Sequence, residues 1–232
     1  MKKKSYSAFQ DISDVCEKFK LDYQEVNFIK EKKMELDEYY ITRLMRSFNN
    51  PGSFSSEFAT CERIIFPMIE EASALNNLPA WSQMPLNVDK DLNLWGSPDY
   101  ILAPPVRASR RFKLPVVCLG EAKKNDFEKG WGQVGAEMYA AQLANLKKIE
   151  EERIENGLVF DNKISKQIKN IPIYGLVTDG NVWEFGKLDN KLFTINKEPF
   201  KTPSELNKTF DTLNWMFCEA RKNADQLLML NS

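Results

Sequence analysis

The chain contains no histidine among its 232 residues. That absence excludes Ser-His-Asp and Cys-His nucleophilic sites, histidine-ligated zinc and HNH-type nucleases. Acid–base work is left to Asp, Glu, Lys, Tyr or metal-bound water. Cysteine is scarce too: Cys16, Cys61, Cys118 and Cys218 are widely scattered, with no CxxC pair. Such spacing argues against a zinc site and suits a reducing compartment. No run approaches the roughly 18 apolar residues of a membrane span. The opening Met1-Lys-Lys-Lys-Ser-Tyr6 also lacks the apolar stretch of a signal peptide. The expectation is a cytoplasmic protein with no membrane partner. Net charge is nearly missing, since 32 Lys+Arg stand against 33 Asp+Glu, giving −1. A passive nucleic-acid binder usually carries a basic excess, so basic groups that matter here must act locally. Repeats and low-complexity segments are absent.

What is present suits a globular fold with a sizeable core: 43% of residues are hydrophobic and 28% charged. Residues 1–50 read as a small N-terminal extension. It holds a short helix at 13–19, with Ile12, Val15, Cys16 and Phe19 at helical spacing. A strand follows at 23–29, then a helix at 36–48 stopped by Asn49-Asn-Pro-Gly52. This extension is expected to cover a sheet edge or core face. The alternative is a substrate-facing or dimerising arm, which carries a homodimer with it.

The main domain spans 51–232. An amphipathic helix is expected over 53–75, with Ile64, Ile65, Met68 and Ile69 as its buried stripe and Glu57, Glu62, Glu70 and Glu71 as its acids. The region 81–94 should supply a first strand, with Asp89 and Asp91 as turn residues. Strands at 98–103 and 116–119 follow, then a helix over 126–151 with small residues for close packing. A charged helix tail and loop fill 147–169. Strands at 171–177 and 182–185 flank Thr178-Asp-Gly-Asn181, an Asp-Gly hairpin turn. A strand at 192–195 precedes a last helix to 230, capped by Thr202 or Ser204. Trp183, Phe185 and Trp215 are expected in the core.

The chemistry gathers at the end of the strand Val116-Val-Cys-Leu119. It runs through Gly120 into Glu121-Ala-Lys123, where alternation puts Glu121 and Lys123 on one face about 7 Å apart. A carboxylate and an ammonium at a buried strand end are costly to desolvate unless paired or coordinating. Asp99 follows Pro98 in the preceding strand, and a wide hairpin across 104–113 places it beside Glu121. Two acids and a lysine at a sheet edge suit Mg²⁺ binding and phosphodiester polarisation. A purely structural ion network is the competing reading. Arg107, Arg110, Arg111 and Lys113 crowd the connecting loop, with Lys124 just past the strand. They are either phosphate contacts or a solvated loop.

Pro98-Asp99 followed by Glu121-x-Lys123 resembles the signature of the PD-(D/E)XK nuclease superfamily. The order of parts is also similar: an acidic helix before the two strands, a Gln-bearing helix from Gly132 to Gln142 after them, then the hairpin over 171–185. That hairpin is similar to one in the nuclease domains of type I restriction subunits. The resemblance covers 54–200. It implies an α/β (α+β) restriction-endonuclease-like core, a central mixed sheet flanked by helices. It further implies a DNA phosphodiesterase using Mg²⁺ or Mn²⁺ held by Asp99, Glu121 and Glu62, with the Ala122 carbonyl. Lys123 is then the water-positioning lysine, and Gln133 orients substrate or the metal shell. Tyr139 is not four residues from Gln133, so a Q-xxx-Y motif is not carried over. A nucleic-acid-binding or assembly module that keeps this fold without cleaving is the alternative function.

Overall fold

A computed structural model describes residues 5–105 and 111–230. Helix α1 (Ile12–Phe19) is capped by Asp11, whose carboxylate accepts the Asp14 N–H, satisfying one orphan donor of the first turn. Strand β1 (Asp22–Glu25) and helix α2 (Glu38–Phe48), capped by Asp37, follow. Helix α3 (Glu57–Thr60) passes through a π turn at Cys61–Ile65 into α4 (Phe66–Leu75). The helix expected over 53–75 is therefore divided. Pro67 has no N–H for the carbonyl four residues back and its ring crowds that carbonyl, and a widened turn accommodates both.

Strands β2 (Ala80–Ser82), β3 (Tyr100–Leu102) and β4 (Cys118–Ala122) lead into the long helix α5 (Phe127–Glu155). Helix α6 (Asn162–Lys169), capped by Asp161, lies where a charged loop was expected. Its Ile164 and Ile168 face the core at a four-residue step among lysines. Strands β5 (Ile173–Thr178), β6 (Val182–Asp189), β7 (Leu192–Ile195) and β8 (Phe200–Lys201) precede the final helix α7 (Leu206–Met229). Neither Thr202 nor Ser204 caps it: Thr202 donates to the Gly180 carbonyl and Ser204 to that of Lys201. The region 81–94 contributes only its first residues to a strand. Asp89 accepts the Asp91 and Leu92 N–H groups, as a turn residue should.

The strands form one mixed open sheet in the order β1-β7-β6-β5-β4-β3-β2, with β8 also on β6. β4 and β5 run parallel, joined through α5 and α6, and β1 runs parallel to β7. The remaining pairings are antiparallel. Side-chain alternation sends Ile101, Leu119 and Val177 to the face covered by α1 and α5. Leu102, Cys118, Ala122 and Leu176 go to the other face, under α2, α4 and α7. Trp183 and Phe185 are fully buried, and Trp215 packs against the same core.

Residues 5–50 are tied to this sheet at several points. Tyr6 donates to the Leu86 carbonyl at 2.6 Å, and α1 packs on α5. The irregular stretch 26–37 is pinned by side chains: Asn196 accepts from Phe28 and Ile29, Asp211 from Met34, and Asn214 donates to the Lys32 and Lys33 carbonyls. Among the described residues no helix is long and apolar enough to cross a membrane.

Candidate functional site

The site is built at the C-terminal end of β4. The Asn145 amide holds the approach to this strand by bonding both the N–H and the carbonyl of Val116, at 2.9 and 2.7 Å. From there alternation turns Glu121, like Leu119, toward α5, where it is 1% exposed. Asp99 immediately precedes β3, which pairs antiparallel with β4. Its N–H donates to Glu121 Oε1 at 3.3 Å, and its Oδ2 accepts the Ala122 N–H at 2.9 Å. The two carboxylates thus sit on adjacent strands, each bonded to the other's backbone neighbourhood. Lys123 Nζ closes on Glu121 Oε2 at 2.9 Å, while its backbone N–H continues the ladder to the Thr178 carbonyl.

Helix α5 completes the cluster. Asp126 caps it, and Gly130 lets its first turn lie close to the strands, since a Cβ there would stand 2.5 Å from Val177 Cγ1. Half-buried Gln133 donates to Glu137 Oε1 at 3.3 Å. Glu137 is 0% exposed. No N–H or O–H donor among the described residues reaches its Oε2, whose carboxyl instead meets that of Glu121. Ionised carboxylates only accept, so such a pair bonds when one of them keeps a proton. Burial, then the Glu121 charge, holds Glu137 well above the usual carboxyl range. Burial, then the Asp99 charge, pushes Glu121 up to about 7, with Lys123 opposing. At Lys123 burial disfavours the ammonium, but the Glu121 charge outweighs it and the proton affinity is raised.

Two clefts open beside these groups. One, of about 220 Å³, is lined by Glu57, Ala122, Lys123, Lys124, Asn125 and Asn181, among others. The other, of about 370 Å³, is lined by Glu57, Phe58, Glu62, Gln83, Asp99 and Tyr100, among others. Glu57 borders both, and its charge contributes to holding the Lys123 proton. Glu62, inside the π turn, is exposed; it borders the Asp99 cleft and also a groove containing Arg43 and Arg63. Among the described residues no three acidic or cysteine side chains are arranged to hold a metal ion together; Glu62 lies on the wall of the Asp99 cleft. Arg111 and Lys113 are exposed on the segment entering β4, and Lys124 is exposed beside Lys123. Arg107 and Arg110 lie outside the described residues.

Asp99, Glu121 and Lys123 therefore meet around one strand end, and Gln133 reaches this cluster through Glu137. Two residues that the sequence reading did not place in the site belong to its surroundings. Glu137 carried a signal: it is a lone acid among Val134, Gly135, Ala136, Met138, Ala140 and Ala141, and such a position buries it. Glu57 carried none, because four glutamates share that region and the π turn decides which of them faces the strand end. Comparison of the chain with protein-family models, curated proteins and solved structures finds no match.

Proposed function

We propose that the chain is a Mg²⁺-dependent nuclease of PD-(D/E)XK type, with a restriction-endonuclease-like core, that hydrolyses DNA phosphodiester bonds in the cytoplasm. The observation that carries this reading is the Asp99–Glu121–Lys123 constellation, hydrogen-bonded across two strands and bordered by a cleft with Lys124.

The donor set fits a hard divalent cation. Mg²⁺ is commonly held by one or two carboxylates with retained waters rather than by a full protein cage, and Asp99 with Glu121 provides that pair. Mg²⁺ or Mn²⁺, when bound, neutralises phosphate charge and acidifies water. The chain's own residues do the rest. The Lys123 ammonium, kept charged by Glu121, holds the attacking water and faces the charge that builds on the phosphoryl oxygens. Gln133 fixes Glu137, which in turn backs Glu121 from the helix side. Lys124, Lys113 and Arg111 are placed outside the cluster, where phosphate contacts register a strand without reading sequence.

A second reading, a nucleic-acid-binding module that does not cleave, draws on the same Lys123–Glu121 pair, because a lysine engaged with a buried carboxylate is satisfied without any substrate. The deciding experiment combines Mg²⁺ titration calorimetry with cleavage of supercoiled, linear and single-stranded DNA. Glu121→Gln is expected to abolish both Mg²⁺ binding and cleavage, since an amide oxygen is a poor ligand for a hard cation. Lys123→Ala should leave the metal bound and lower cleavage by about 10²–10³-fold. Wild-type protein that binds no Mg²⁺ or Mn²⁺ at millimolar concentration would sink the catalytic assignment.

A further inference from the structure

We propose that the cleft beside Asp99 receives an unstacked nucleobase, so that the strand presented to the acid pair is unpaired DNA; this rests on the nuclease reading of the same site. Phe58 is 69% exposed in the first turn of α3, just after the polar Ser55-Ser56-Glu57, and it borders this cleft. An aromatic ring left in water beside a charged site has no role in the core, and it is the group on which single-stranded nucleic acids stack. Phe66 and Tyr100 lie deeper in the same cleft as a near-parallel pair, with centroids 6.1 Å apart and planes at 21°. The cleft volume, about 370 Å³, lies within the usual range for small ligands, about 300–1,000 Å³.

Gln83 borders the cleft in a left-handed conformation, φ 49°, with its N–H fixed on the Asp99 carbonyl at 3.0 Å. Left-handed backbone at a non-glycine residue is held against a steric cost, and here it carries an exposed amide to the cleft wall. An amide both donates and accepts, so it meets any base edge. On the other side of Glu57 lie Lys123, Lys124, Asn125 and Asn181, a cationic and polar wall suited to phosphate. One nucleotide joins a phosphate to a base, and Glu57 borders both clefts. A base paired and stacked within a duplex is not available to enter, which selects an unpaired strand.

The test uses a short oligonucleotide carrying one 2-aminopurine, free or annealed to its complement. Binding is followed by fluorescence in Ca²⁺, with the strand checked for integrity by gel. Wild-type protein should bind the single strand more tightly than the duplex. Phe58→Ala should weaken single-strand binding about tenfold, the scale of one stacked base. Phe58→Trp should retain it, and duplex affinity should not change. Because Phe58 is exposed, the thermal melt of Phe58→Ala should match wild type, which separates lost stacking from lost fold. An unchanged single-strand affinity in Phe58→Ala, or a wild-type preference for duplex, overturns the proposal. Cleavage in Mg²⁺ separates it from the reading it rests on. Protein that cuts duplex and ignores single strands removes the base cleft and keeps the nuclease. Protein that quenches 2-aminopurine through Phe58 yet cuts nothing keeps the cleft and removes the nuclease.

Discussion

Between Glu121 and Glu137 two buried carboxyls face each other with one lysine beside them, and protons must be distributed among the three. Glu137 holds its proton well above the ordinary value of 4.5, through burial and then the Glu121 charge. In the unfolded chain it titrates near that ordinary value. Between the two, the folded state binds the extra proton, so stability falls as pH rises through about 4.5 and the full cost applies above the folded value. Glu121 contributes in the same direction up to about 7. Glu137→Gln preserves the shape and offers an N–H toward Glu121. It should raise stability above about pH 7 by on the order of 1–3 kcal/mol, and give little gain near pH 4. Thermal melts in EDTA across that range check this; a pH-independent difference would mean that Glu137 binds its proton no more tightly in the fold than in the unfolded chain. At this scale the sequence was legible where a short rule applied. Two-residue alternation placed Glu121 with Lys123, and an antiparallel partner placed Asp99. Glu137 escaped because a glutamate within a helix is ordinarily solvated, and only the close packing of α5 on the sheet buries it.

That closeness is set by small residues along α5. At Gly132 a Cβ would stand 2.7 Å from Asp11 N and 2.9 Å from Phe9 O, both backbone atoms. Backbone cannot swing aside as a side chain can, so overpacking costs of about 1–3 kcal/mol should exceed the roughly 1 kcal/mol that alanine gains over glycine in a helix. Gly132→Ala is expected to lower the melting temperature and to raise hydrogen exchange in residues 5–20 more than in β4 or β5. A higher melting temperature would show that the N-terminal segment yields freely. Elements with strong local signals were legible: α5 from its run of small residues, β5 and β6 from the Asp-Gly turn. Helix α6 was not, because its lysines mask a two-isoleucine stripe. The π turn was not, because a single proline specifies where a helix is disturbed but not how it widens.

Across the whole molecule, the stretch 26–37 is held mainly by side chains, with two backbone bonds beside them, Val26 N–H to the Ile195 carbonyl and Lys32 N–H to the Asp211 carbonyl. Asp211 Oδ1 accepts the Met34 N–H at 2.7 Å. Asp211→Ala should cost about 1–3 kcal/mol, the range for a charged acceptor lost to a part-buried N–H. Limited proteolysis should then cut first within 26–37; a digestion pattern like that of the wild type would show that Asn196 and Asn214 suffice. This part of the fold was the least legible, and the reason is physical. Individual strands and helices follow from local periodicity and the mixed sheet was expected from the resemblance, whereas β1 finds β7 through a pairing that no local pattern encodes. That pairing, Asp22 with Leu192, also constrains biosynthesis. A chain emerging N-terminus first exposes β1 long before β7 exists, and the 26–37 stretch before α7 exists to hold it. The central strands can assemble meanwhile, so a segment made well before its partners is among the last to be locked in place.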